Sequence, residues 1–289
     1  MIETVKKTSA STVPLSPAEK ERNLRSMMRD MKRVLVAYSG GVDSAYLAAV
    51  ATEELSENAL CVTGISPSVS DFQRRQSADI AGRFGFNFQT IETSELADPN
   101  YQKNGTDRCF FCKDELYSVL GGVSTEFGFG YIVDGTNADD LKDHRPGRVA
   151  ASNRNVRSPL AETGLTKSEI RELSRQLGLP TWDLPASPCL SSRIAHGVPV
   201  TIERLSKVER AEEVLRRAGF IEFRVRLHND LARIEIAQAE MSKILDADVY
   251  GSISAAIAKI GFKYVTLDLQ GFRSGSMNPK TVVGTQQKQ

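Results

Sequence analysis

The 289-residue chain has no surplus of charge, with 37 lysines and arginines against 36 aspartates and glutamates. That balance argues against affinity drawn mainly from a phosphate backbone, so no nucleic-acid partner is expected. There is no run of about 18 apolar residues, and no apolar segment follows the charged start. Neither a membrane span nor a secretory signal is therefore expected, and the chain is read as cytoplasmic. Four cysteines are too few for a disulfide framework at this length, and in a reducing compartment a C-x-x-C pair points to metal or redox chemistry. The three histidines, His144, His196 and His228, do not cluster in the sequence, and each reads as a local polar contact. Also missing are the lysine of a Walker A loop, G-x-x-x-x-G-K-S/T, and the G-x-G-x-x-G dinucleotide fingerprint.

What is present is Ser39-Gly40-Gly41-Val42-Asp43-Ser44. It follows the apolar run from Val34 to Tyr38 and leads into Ala45 to Val50, which reads as a buried strand, a tight turn and a helix. Two glycines let the backbone approach a ligand, while two hydroxyls and the free amides of a helix start face one anion. This is a phosphate cradle. Asp43 reads either as a carboxylate at the positive end of the helix or as a helper in holding magnesium on pyrophosphate.

Around it, Ser16-Pro17 opens a helix carrying Leu24, Met27, Met28 and Met31 inward, a second strand covers 59–65, a helix about 71–84 and a third strand about 86–91. Strands alternating with helices imply right-handed crossovers and a parallel sheet with its ligand beyond the carboxyl ends of the strands. Cys61 falls inside the second strand and reads as core. Tyr131 to Asn137 reads as a strand ending in a polar turn, followed by Asp139, Asp140 and Asp143, either a solvated turn or metal donors. Thr166 and Glu169 form a capping box before a helix ending at Gly178.

The second chemical stretch is Arg108-Cys109-Phe110-Phe111-Cys112-Lys113. Two cysteines three apart at a helix start share one face and can hold a metal, form a redox pair, or simply be small packed residues. A third cysteine, Cys189, lies between Pro185 and Pro188 on one side and Ser191, Ser192 and Arg193 on the other, on an extended segment beside anion donors. From about residue 201 the pattern changes to a small α+β unit: a helix over 202–218, a hairpin of 223–227 and 231–236, a helix to about 260 and a strand over 264–269. Arg224 and Arg226 project from one face of a strand, either as a solvated basic face or as a clamp for phosphate and carboxylate. Arg273 sits in a glycine-flanked turn that could add to it. Expected boundaries are a loose leader over 1–16, an α/β nucleotide domain over 17–198, a smaller α+β domain over 199–278 and a frayed tail over 279–289.

The S-G-G-x-D-S turn resembles the PP-loop of the ATP pyrophosphatases, the superfamily of NAD and GMP synthetases and tRNA thiolation enzymes. Together with C-F-F-C-K, P-C-L-S-S-R, F-R-V-R-L-H-N-D, Y-V-T-L-D-L and G-F-R-S-G, it is similar to the LarE family of ATP-dependent sulfur insertases, over nearly the whole chain from Arg33 to Asn278. The resemblance implies a parallel-sheet PP-loop domain and a substrate that is a pyridinium dicarboxylate mononucleotide. ATP would adenylate a ring carboxylate, pyrophosphate would leave, and sulfur would replace the AMP. By matched motif, Ser39, Gly40, Gly41, Asp43 and Ser44 would hold pyrophosphate and magnesium. Ser192, Arg193, Arg224, Arg226 and Arg273 would hold the substrate, with Glu212 near the same site. Some members sacrifice one cysteine before S-S-R, but here Pro188 stands at that place and Cys189 follows one residue later. Cys109, Cys112 and Cys189 instead resemble the members whose three cysteines hold a 4Fe-4S cluster, fed by sulfide or another sulfur donor. A trimer-based homo-oligomer is implied. Two other readings stay open: tRNA thiolation by the same adenylate chemistry, and a non-catalytic nucleotide module with a structural zinc on the three cysteines and His196.

Overall fold

The computed structural model describes residues 14–142 and 146–273; Asp143, His144, Ser274, Gly275, most of the leader and the tail lie outside them. The chain opens with α1 (Pro17–Met31), whose Ser16 and Glu19 cap one another's backbone amides. Then follow β1 (Val34–Ala37), α2 (Val42–Leu55), β2 (Ala59–Ile65), α3 (Asp71–Arg83), β3 (Asn87–Glu92), α4 (Pro99–Gln102), α5 (Arg108–Phe127) and β4 (Tyr131–Asp134). These four strands make one parallel sheet in the order β3-β2-β1-β4. Because the chain steps from β1 outward to β3 and returns to the other side of β1, the crevice between the carboxyl ends of β1 and β4 is the switch point where such sheets take ligands.

Each face of this sheet has its own core. Along β1, Val34 and Val36 pack with Leu24, Met28, Tyr46, Leu47 and Val50 of α1 and α2, and with Ile170 and Leu173 of α8 (Lys167–Gln176). Leu35 and Ala37 alternate to the other face, against Tyr117 and Leu120 of α5 and Ala150 and Ala151 of α6 (Pro146–Asn153). A strand buried on both faces reads as an unbroken apolar run, as β1 does. Cys61 is fully buried in the first of these cores, where burial pushes its thiol up to about 12. The short α7 (Pro159–Glu162) connects β4 to α8.

The second layer is smaller. After α9 (Ile202–Arg217) come β5 (Phe223–His228) and β6 (Leu231–Ile236), antiparallel across the 228–231 turn. Helices α10 (Met241–Ile244) and α11 (Ala247–Lys259) then lead to β7 (Tyr264–Leu267), which pairs with β6 in parallel. Leu205, Val208 and Leu215 of α9 and Ile253 and Ile257 of α11 cover Val225, Leu227, Ile234 and Ile236. Tyr101, Leu190 and Ile194 belong to this second core, with Phe111 and Cys112 packed against it. Phe110, one residue earlier, packs into the α5 side of the parallel sheet. The C-x-x-C turn therefore sits on the seam between the two sheets. Among the described residues, no helix is long and apolar enough to cross a membrane.

Candidate active site

The glycine turn lies where the sheet topology puts a ligand. Gly40 has φ +73, a conformation that glycine adopts without strain, and a Cβ there would stand 2.8 Å from Ser77 Cβ. Gly41 caps α2 with no side-chain bond, leaving the first amides of a fourteen-residue helix open to an anion. Ser39 Oγ and Ser44 Oγ lie 3.0 Å apart, and Ser44 Oγ also takes the Ser39 amide at 3.1 Å. Gly135, just past β4, closes the other wall: a Cβ on it would meet Ser44 N at 2.8 Å. Asp43 projects from the first turn of α2, its Oδ2 accepting a hydrogen bond from Lys167 Nζ at 2.6 Å. Its Oδ1 is buried with no hydrogen-bond partner among the described residues. That orphaned carboxylate oxygen beside an open helix start fits a magnesium pyrophosphate, which would supply the missing partner.

Beyond β4, Asp134 is buried and accepts from Tyr117, Thr136 and Ser158. Asp139 caps the Lys167 amide and pairs with Lys142, and Asp140 accepts from the Asn137 amide. The acidic turn is thus a local cap; Asp143 lies outside the described residues.

The segment 186–195 crosses the seam. Leu190 N donates to Ser68 O, past the end of β2, at 2.8 Å, and Ile194 bridges to Leu227 of β5. Cys189, just after Pro188, is extended and caps a short 3-10 turn over Leu190–Arg193 that propensity alone does not announce. Arg193, 3% exposed, is held by Glu212 at 2.9 Å. Its Nη1 also donates to the carbonyls of Pro188 and Cys189 and to Ser192 Oγ. Arg226 pairs with the fully buried Glu235 at 2.8 Å and reaches Ser192 O at 3.2 Å. Arg224 differs. It donates to the carbonyls of Phe223 and Ala186 and lies 4.8 Å over the Phe272 ring, with no carboxylate partner among the described residues. Burial first, then the neighbouring Arg193, pulls its pKa down to about 10.

One of the two open readings of the strand arginines falls here, while His196 keeps to the local polar contact read from the sequence. Arg224 and Arg226 are not a solvated basic face; both are buried, because the cysteine segment lies over them. His196 is not drawn into the cysteines: its Nδ1 faces Asn104 O at 3.4 Å. Arg273 stands apart from the other arginines, half-exposed and bonded to Gln270 and Asp268.

The three thiols come from α5 and the crossing segment, and all are free. Burial and then the nearby Cys189 raise Cys112 well above the ordinary thiol range, with Glu95 adding to the shift. Cys109 reaches the surface, yet its dense protein side and Cys189 raise it too, against the pull of the Arg108 guanidinium. Three thiols are, by their chemistry, the donor set of an iron-sulfur cluster. Among the described residues, no three His, Cys, Asp or Glu side chains are already gathered as a metal-holding group.

No family model matches the chain. Over 259 residues it is 44% identical to an uncharacterized protein of Synechocystis, covering 90% of this chain and 97% of that one. Over 222 residues it is 28% identical to one of the subunits of the glutamine-hydrolyzing GMP synthase of Thermoplasma volcanium, covering 68% and 66%. Over 263 residues it is 36% identical to the pyridinium-3,5-bisthiocarboxylic acid mononucleotide synthase of Lactiplantibacillus plantarum, covering 90% and 94%. With the parallel sheet and the glycine cradle at its switch point, this likeness over the full length places the chain in the family of that synthase, within the PP-loop ATP pyrophosphatases.

Proposed function

We propose that the chain inserts sulfur into a pyridinium-3,5-dicarboxylate mononucleotide at the expense of ATP. A ring carboxylate attacks the α-phosphate, pyrophosphate leaves, and the acyl-adenylate exchanges AMP for sulfur to give a thiocarboxylate. Ser39, Gly40, Gly41 and Ser44 take the pyrophosphate, and Asp43 takes its magnesium. Arg224, lacking a carboxylate, takes the phosphate or a carboxylate of the mononucleotide. Ser192, Arg193 and Arg226 shape that pocket, and Glu212 holds Arg193 in place. Cys109, Cys112 and Cys189 would hold a 4Fe-4S cluster, which would supply the sulfide that replaces AMP.

The observation that supports this reading is the crossing segment. Within ten residues it bonds to the end of β2 through Leu190, carries Cys189, and contacts Arg224 and Arg226 through the carbonyls of Ala186 and Ser192. This supports a reading in which nucleotide, sulfur and substrate functions meet on one short piece of chain. Anaerobic purification followed by iron, sulfide and zinc analysis tests the cluster. About four irons per chain, lost in each of Cys109→Ala, Cys112→Ala and Cys189→Ala, is the expected result. Incubation with ATP, magnesium, the mononucleotide and sulfide should then yield thiocarboxylate and pyrophosphate. Dehydroalanine at Cys189 with no requirement for iron overturns the cluster, and pyrophosphate release that ignores the mononucleotide overturns the substrate.

A further inference from the structure

Two residues after Cys189, the Ser191 hydroxyl lies 2.5 Å from the Tyr101 hydroxyl, and the same phenol oxygen lies 2.7 Å from Ser68 Oγ. All three residues are buried to within 1% of full burial. Ser68 follows β2 on the nucleotide side, Ser191 belongs to the crossing segment, and Tyr101 stands on α4 between them. A Phe ring would fill the same apolar space, so packing does not explain the hydroxyl. What the hydroxyl does is add a side-chain bridge beside the single backbone bond, Leu190 N to Ser68 O, between two segments that have no ladder.

Tyr101 also begins a run that grips the rest of the crossing segment. Asn104, fully buried at φ +55, donates from Nδ2 to the carbonyls of Ala195 at 2.8 Å, Val198 at 2.9 Å and Ile194 at 3.2 Å. Arg108, also buried, donates to Asn104 Oδ1 and, at 2.9 Å, to Ser191 O. The next residue is Cys109. Cys109 and Cys112 are fixed relative to one another by the hydrogen bonds of α5. Cys189 has no such frame, since it lies on an extended, proline-flanked segment. The Leu190 amide ties that segment to Ser68 O at the end of β2, and the bond closest to Cys189 in the chain that reaches α4 is Ser191 to Tyr101.

We propose that Tyr101 is a positioning residue for the sulfur chemistry: its hydroxyl, bridging Ser68 and Ser191, sets the place of the Cys189 thiol against Cys109 and Cys112. What that thiol is used for rests on the sulfur-transfer reading; its placement does not.

The test uses the full-length, reduced, metal-free protein and dibromobimane, which becomes fluorescent when it bridges two neighbouring thiols. Wild type is expected to form a bridge from Cys189 to Cys109 or Cys112, mapped by peptide mass. Tyr101→Phe should slow bridging about tenfold, equivalent to about 1.4 kcal/mol. Ser191→Ala should slow it similarly, and the double variant should add little, since both changes break the bond between Tyr101 and Ser191. Cys61, fully buried, stays unlabelled while the chain is folded and so reports on folding. If Tyr101→Phe exposes Cys61, Ser191→Ala, which leaves the ring in place, decides by the same readout. A hydroxyl that merely stabilised the fold would lower the melting temperature and leave bridging at the wild-type rate; that result overturns the proposal, as does a wild type that forms no bridge. Because the assay needs no ATP, mononucleotide or iron, failure of sulfur transfer leaves its outcome intact.

Discussion

Lys167 Nζ stands 2.6 Å from Asp43 Oδ2, joining the first turns of α8 and α2. Both side chains keep access to solvent, 38% and 22%, and such a pair contributes less than about 1 kcal/mol to folding. The lysine cation instead holds a carboxylate whose other oxygen has no hydrogen-bond partner among the described residues, at the mouth of the glycine cradle. Lys167→Ala is therefore expected to leave the urea midpoint nearly unchanged and to raise the KM for ATP in pyrophosphate release by roughly tenfold, about 1.4 kcal/mol. An unchanged KM removes the lysine from the site.

Gly135 makes a different demand on the same cradle. Its backbone is not in the left-handed region, so space alone decides: a Cβ would stand 2.8 Å from Ser44 N and 3.1 Å from Ser44 Cα. Backbone atoms at a helix start cannot swing aside as a side-chain tip can. Gly135→Ala should shift the start of α2 and weaken magnesium-ATP, titrated by calorimetry, by at least about tenfold. Gly85→Ala is the control. Gly85 has φ +66 but open space around it, so about 1 kcal/mol of strain and unchanged ATP binding are expected.

Sequence signals that act within a few residues were legible. Ser16 with Glu19 and Thr166 with Glu169 form the capping boxes their spelling announces, and the S-G-G-x-D-S turn lies between strand and helix. The alternation of Arg224 and Arg226 correctly gave one face, but spacing carries no information on what covers a face. Here the cover is the crossing segment, and its carbonyls meet both guanidinium groups. Nor does spacing choose partners: Glu212 for Arg193, Glu235 for Arg226 and Lys167 for Asp43 are chosen by the fold. Tyr101, Asn104 and Arg108 carry no signal of their own, because a tyrosine, an asparagine and an arginine before a C-x-x-C turn announce nothing until the segment around Cys189 folds against them.

The arginines of the second sheet are expected to separate by mutation. Glu212 accepts from Arg193 and from the Val225 amide in a buried setting. Glu212→Ala leaves a buried charge and an amide unpaired and should cost about 3–5 kcal/mol in urea unfolding. Arg224→Met should do the reverse. A guanidinium whose pKa falls from 12.5 to about 10 is disfavoured as a cation in the folded state, and that cost is fully in place below about pH 10. Removing the charge near neutral pH should stabilise the chain, by up to about 3 kcal/mol, while weakening the mononucleotide. A destabilised Arg224→Met protein would mean that its carbonyl bonds outweigh its desolvation.

His228 should govern part of the acid response. Its Nε2 is buried without a hydrogen-bond partner among the described residues. Burial, then the Arg233 and Arg226 guanidinium groups, hold its pKa below 6.5, and Glu235 opposes them weakly. The folded state therefore keeps the ring neutral while the unfolded chain takes up a proton on acidification. Between the folded and unfolded pKa values the unfolded state binds more protons, so stability rises with pH across that window. The contribution is complete above the unfolded pKa of 6.5 and is lost as pH falls through the lower folded value. Urea midpoints at about pH 7.5 and about pH 5.5 are expected to differ more for wild type than for His228→Gln, which cannot titrate. Equal losses in the two proteins would assign the acid limb to the carboxylates and take His228 out of it.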